Sequence, residues 1–287
     1  MSIRRPTNNY SSPADRGGAN KGAGRGVSHA DEPRKGRSLT KSKGSAPGNP
    51  LREGVRLFQQ KKYDAAVQEL LQAKPSSEDY PRLSYYLGLC YTHLHSYDEA
   101  LLYLEQVVTS EIGLPHIYQS RMILGYIYTV TERYRLAEFE FSKLLDEGFE
   151  SAKVHAALGH VLFAQNQSGN SIEHLERALE MDPENATALN SLGYVMAEND
   201  MRLSEAFEYC KQAVKAAPHN PAYLDSLGWV FFRRRQLPEA RRVLSEALKK
   251  APNHPDIRAH LRTVINEIKR DGETSLNSSI GAEVPEE

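Results

Sequence analysis

The side chains that could do chemistry are few, and their spacing rules out most of it. His93 and His95 are two apart, which on a helix turns them to different faces, and His155 and His160 are five apart and align poorly for a shared ion. Cys90 and Cys210 are the only cysteines, 120 positions apart and with no Cys-x-x-Cys, so they read as two buried thiols, compatible with a reducing compartment. The chain contains no Gly-x-x-x-x-Gly-Lys-Ser/Thr phosphate loop, no Gly-x-Ser-x-Gly nucleophile turn and no His-Glu-x-x-His pair. This predicts a protein that is not an enzyme and holds no metal or cofactor. The remaining charged feature is Arg233-Arg234-Arg235 with Arg241-Arg242, read as a solvated face or, more sharply, as a contact for an acidic partner segment.

The elements that would carry a binding surface follow from a repeat. Glycines at 54, 88, 125, 159, 193 and 228 are separated by 34, 37, 34, 34 and 35 residues. A second series of small residues, Ala66, Ala100, Ala137, Ser171, Ala206 and Ala240, keeps step with it. Around these positions apolar residues recur three or four apart, as in Leu87, Gly88 and Tyr91 and then Tyr97, Ala100, Leu104 and Val107, which gives each helix one apolar stripe. Asn220-Pro221 and His254-Pro255 place proline at helix starts, where its missing N–H costs nothing. A period of this length predicts a solenoid of stacked helix pairs. After Pro255, the residues Ile257, Leu261, Val264, Ile265 and Ile268 fall on one face, predicting a capping helix over 254–270.

The two ends differ from this middle. Net charge is −1 overall, but residues 1–50 carry ten Lys and Arg against Asp15, Asp31 and Glu32, leaving the rest acidic. Residues 1–49 hold almost no large aliphatics and are expected to be a disordered basic leader, and 271–287 a disordered acidic tail. No run approaches a membrane-spanning length, and the start lacks the apolar core of a secretory signal, so a cytoplasmic location is expected.

The units beginning near 47, 81, 118, 152, 186 and 221 resemble the tetratricopeptide repeat, a 34-residue helix–turn–helix, in a form similar to bacterial members. The sixth unit carries Leu227, Gly228, Phe231, Leu237, Ala240, Leu244, Ala247 and Pro252 in step, and the third Leu124, Gly125, Tyr128, Tyr134, Ala137 and Phe141. Departures are local: Glu53 in the first unit, Ser168 and Ser171 in the fourth, extra residues around Glu111–Pro115, and one near Asn199-Asp200-Met201. The resemblance implies an all-α, right-handed α-solenoid with six repeats over 50–253.

It also implies a groove lined by the first helix of each unit. Carried onto this sequence, the family's contact places fall on Tyr85, Leu89 and His93; on Gln119, Met122, Tyr126 and Thr129; on His160 and Phe163; on Asn190, Tyr194 and Glu198; and on Asp225, Trp229, Phe232 and Arg233. The set is rich in rings and hydrogen-bonding groups, as interface anchors are. The Lys and Asn set with which some members clamp a chaperone's C-terminal carboxylate does not occur in three consecutive units here. The expected function is therefore a non-catalytic adaptor holding a peptide or helix of a protein partner, as a monomer with no membrane span. The alternative is a nucleic-acid-associated protein that uses residues 1–49, whose affinity would fall steeply with salt.

Overall fold

Thirteen α-helices and no strands occur among the residues described by the computed structural model, 50–281, with side chains through 272. The predicted leader and the end of the predicted tail lie outside the described residues. The helices alternate as first and second members of a pair: α1 Arg52–Gln59 with α2 Tyr63–Gln72, α3 Tyr80–His93 with α4 Tyr97–Val108, α5 Leu114–Val130 with α6 Tyr134–Asp146. They continue as α7 Ala152–Ala164 with α8 Ser168–Met181, α9 Ala186–Glu198 with α10 Leu203–Ala216, α11 Pro221–Arg233 with α12 Leu237–Lys250, and α13 Pro255–Gly281 alone. The described residues fall into two compact units, 50–116 and 117 onward.

Each pair closes on its repeat glycine. A Cβ built on Gly54, Gly88, Gly159 or Gly228 would sit 2.5–2.6 Å from a carbon of Leu70, Leu104, Leu175 or Leu244, one leucine per pair. At Gly125 the opposing side chain is Phe141, and at Gly193 it is Cys210, whose place one residue later absorbs the extra residue of the fifth pair. The small residues of the second series, Ala66 through Ala240 with Ser171 among them, are 0% exposed, so the two helices approach closely along both rows.

The turn inside each pair has a signature that the side chains do not announce. Lys61, His95, Glu132, Asn166, Asp200 and Arg235 all have φ between 53° and 66°. Each lies seven residues after its repeat glycine. The residue that follows donates its N–H back to the first helix, as in Ser96 to Tyr91 O at 3.0 Å and Gln236 to Phe231 O at 2.9 Å. This is a Schellman-type end that satisfies carbonyls otherwise left open. Asn185 and Asn220 cap the next helices by accepting from Ala188 and Ala222, each at 3.0 Å, and Pro221 follows as read from the sequence.

In the unit 50–116 the core gathers Leu51, Leu70, Leu83, Leu87 and Cys90 with Phe58, Tyr63 and Tyr86 packed against it. In the unit from 117 a larger core joins Phe163, Leu192, Tyr194, Met196, Cys210, Trp229 and Val230. Each fully buried leucine contributes on the order of 1.5–3 kcal/mol. Helix α13 packs on α11 and α12, as a cap would, but it runs on to Gly281 instead of ending at 270. Glu267 and Asp271, one turn apart on α13, both pair with Arg235, so its polar face is partnered at the point where the apolar stripe ends.

Candidate functional site

Successive first helices α7, α9 and α11 and the cap α13 pack side by side, which makes one continuous face of first helices within the unit from 117. On α5 and on the helices of this face the expected contact residues divide into two groups. Gln119 is exposed, and Met122, Tyr126, His160, Phe232, Arg233 and Glu198 keep part of their surface open. Phe163, Asn190, Tyr194, Asp225 and Trp229 are buried, as is Thr129, whose hydroxyl donates to Gly125 O at 2.7 Å.

The buried rings are linked. Phe163 meets Tyr194 edge-on at 5.8 Å, Tyr194 lies 6.3 Å from His260, and His260 stacks on Trp229 at 4.2 Å, which in turn lies 4.8 Å from Phe232. Four helices are thereby tied through one row of rings, with contacts in the range where aromatic pairs add stability beyond area burial. His260, on the cap, was not among the sequence candidates. It is buried, and its Nδ1 donates to both carboxylate oxygens of Asp225 at 3.0 Å. Its only sequence signal is a histidine beside the apolar stripe of the cap.

Asn190 is 0% exposed, and neither polar atom of its carboxamide has a protein partner; the Trp229 indole N–H is likewise unpartnered. Such groups cost free energy where they stand. His160 on α7 keeps an open edge, but burial of the rest of the ring pulls it down to about 4, so the face carries a neutral imidazole at neutral pH.

The unit 50–116 has its own ring cluster. Tyr85 is buried against Tyr86 and His116, at 5.3 and 4.8 Å, and burial pushes its phenol to about 12, with Tyr86 adding to the shift. Leu89, four residues on, is also buried, and His93 stacks on Tyr63 at 4.2 Å and 6°.

The reactive side chains of the sequence are used structurally. His95 Nδ1 bonds the Tyr97 hydroxyl at 3.0 Å, while His155 pairs not with His160 but with His174, at 2.9 Å across its helix pair, and with Glu150 at 3.1 Å. Among the described residues no group of three or more His, Cys, Asp or Glu could hold a metal ion. Burial raises both thiols, Cys90 to about 12. The arginine run is not an open patch. Arg233 donates to Asp200 through Nε at 3.1 Å, Arg234 lies 4.5 Å over the Phe207 ring, and Arg235 is held by α13. Each ties its repeat to a neighbour, and Arg241 and Arg242 remain exposed.

Family models described as tetratricopeptide repeat match residues 51–113, 156–221 and 196–263. The chain belongs to the tetratricopeptide repeat family. A TPR repeat-containing protein of Pseudomonas aeruginosa is 39% identical over 96 residues, which cover 32% of this chain and 16% of that protein. The chain therefore matches only a small part of that relative. Among solved structures, the APC/C hetero-tetramer Cut9–Hcn1 superimposes with a TM-score of 0.61 at 14% identity, covering 75% of this chain and 42% of that one. MamA from Desulfovibrio magneticus does so with a TM-score of 0.52 at 19% identity, covering 59% and 96%. At these identities the likeness is one of fold. The tetratricopeptide fold is an all-α solenoid that serves as a scaffold for protein–protein interaction. No helix among the described residues is long and apolar enough to cross a membrane.

Proposed function

We propose that this tetratricopeptide protein is a non-catalytic adaptor, and that a peptide or helix of its partner lies along the first-helix face of the unit from 117. One observation carries this reading. Gln119, Met122, Tyr126, His160 and Phe232 leave open edges on first helices whose backbones are fixed by glycine-close packing and buried rings. Rigid aromatic anchors lose little entropy on binding, and neutral hydrogen-bonding groups beside them set register. A single extended segment or amphipathic helix fits such a row. The buried Trp229 supports Phe232 from behind, and Arg233 is held against Asp200.

The reading is tested by selecting a phage-displayed library of random peptides on the intact chain and measuring Kd for a retained peptide. Tyr126→Ala and Phe232→Ala are each expected to weaken it by about tenfold or more, the signature of a hot-spot ring. Undiminished binding in both variants would place the site elsewhere.

A further inference from the structure

The cap helix α13 is fastened by a titratable group in a setting that couples its docking to protons. His260 is 4% exposed and Asp225, opposite it on α11, is 3% exposed. The imidazole Nδ1 reaches both carboxylate oxygens at 3.0 Å, and the ring lies over Trp229 at 4.2 Å and 25°. The groups that face it are acidic or aromatic: Asp225 from α11, Glu198 and the Tyr194 ring from α9, and Asp256 from α13 itself. From α12 the packed residues are Ala240, Leu244, Val243 and Ala247, which carry no charge.

We propose that α13 docks on α11 through a proton-dependent latch, in which a charged His260 ring is clamped between Asp225 and Trp229 and loss of its proton loosens the cap. This goes beyond the adaptor reading and does not depend on any partner. When the imidazolium deprotonates, Nδ1–H stays with Asp225 and the proton leaves from Nε2. What remains is a carboxylate buried beside a neutral ring, and the attraction of the cation for the indole face is gone. Burial alone would drive the ring neutral, but the hydrogen bond and charge of Asp225 outweigh it, with Glu198 and Asp256 adding to them, and hold His260 above the ordinary histidine value. A group raised in the folded state contributes stabilisation that is complete below about 6.5 and is lost as pH rises through the folded value. The cap is therefore tightest in mildly acidic solution.

Trp229 is the only tryptophan, so intrinsic fluorescence of the intact chain reads the stacked ring directly. Titration across about pH 5 to 9 is expected to show one transition with its midpoint above about 6.5. His260→Gln abolishes that transition, and Asp225→Asn moves it to lower pH. In parallel, amide hydrogen exchange in α13, corrected for its intrinsic pH dependence, speeds up about tenfold or more across the transition while α7 is unchanged. A midpoint at or below about 6.5, a transition that survives in His260→Gln, or α13 protection constant across the range would each overturn the proposal. If Asp225→Asn does not fold, the wild type and His260→Gln decide the question.

Discussion

Gly228 and Leu244 meet so closely that a Cβ added to the glycine would fall 2.6 Å from the leucine Cγ. An equivalent contact recurs in every pair, with Phe141 and Cys210 in the leucine's place in two of them, so the glycine row is a spacing device for helix crossing. Gly228→Ala is expected to cost about 1–3 kcal/mol through overpacking. Gly169, in the first turn of α8, meets nothing within 4 Å, and there alanine is expected to add about 0.5–1 kcal/mol. Urea unfolding midpoints of the two variants, moving in opposite directions, are the check.

Ser171 stands where the other pairs have alanine, and its hydroxyl is buried without a protein partner. Ser171→Ala removes an unpaired polar atom and restores the usual helix former. It is expected to stabilise the chain by about 1 kcal/mol, read as a rise in Tm.

Glu132 has φ 60°, in the left-handed region. A left-handed conformation costs an ordinary residue about 1–2 kcal/mol, a penalty that glycine escapes. Glu132→Gly is expected to be neutral to stabilising by up to about 1 kcal/mol, the reverse of what glycine does one turn earlier, inside α5. Paired denaturation of Glu132→Gly and Thr129→Gly separates the two.

The repeat was legible in the sequence because close crossing demands small side chains at fixed places, glycine in one row and alanine, or Ser171, in the other. The turn residues were not, because a Schellman end is made by backbone groups and accepts Lys61, His95, Glu132, Asn166, Asp200 and Arg235 alike. The face was legible as positions but not as exposure. Tyr194 and Trp229 sit at contact places yet are covered, and His260, which helps cover them, comes from a helix read only as a cap. The arginine run read as an open patch because its partners lie about one repeat away: Asp200 before it, Glu267 and Asp271 after it.

Acid should weaken the fold through His160. Its folded value is about 4, below the ordinary value, so between the two the unfolded chain takes a proton that the fold refuses. Stability therefore falls as pH drops from about 6.5 toward 4, by at most about 1.4 kcal/mol per unit from this group. The stability gap between wild type and His160→Gln is expected to narrow by that slope as pH falls, measured by urea midpoints at several pH values. His260 acts with the opposite sign, losing its contribution as pH rises.

Site-specific photo-crosslinking tests the first-helix face most directly, with benzoylphenylalanine placed at Tyr126 on α5 or at Phe139 on α6, a second-helix ring that is 52% exposed. Irradiated with a peptide selected on the intact chain, the Tyr126→benzoylphenylalanine variant is expected to give the adduct and the Phe139 variant none. Adducts from position 139 with none from 126 would contradict the account.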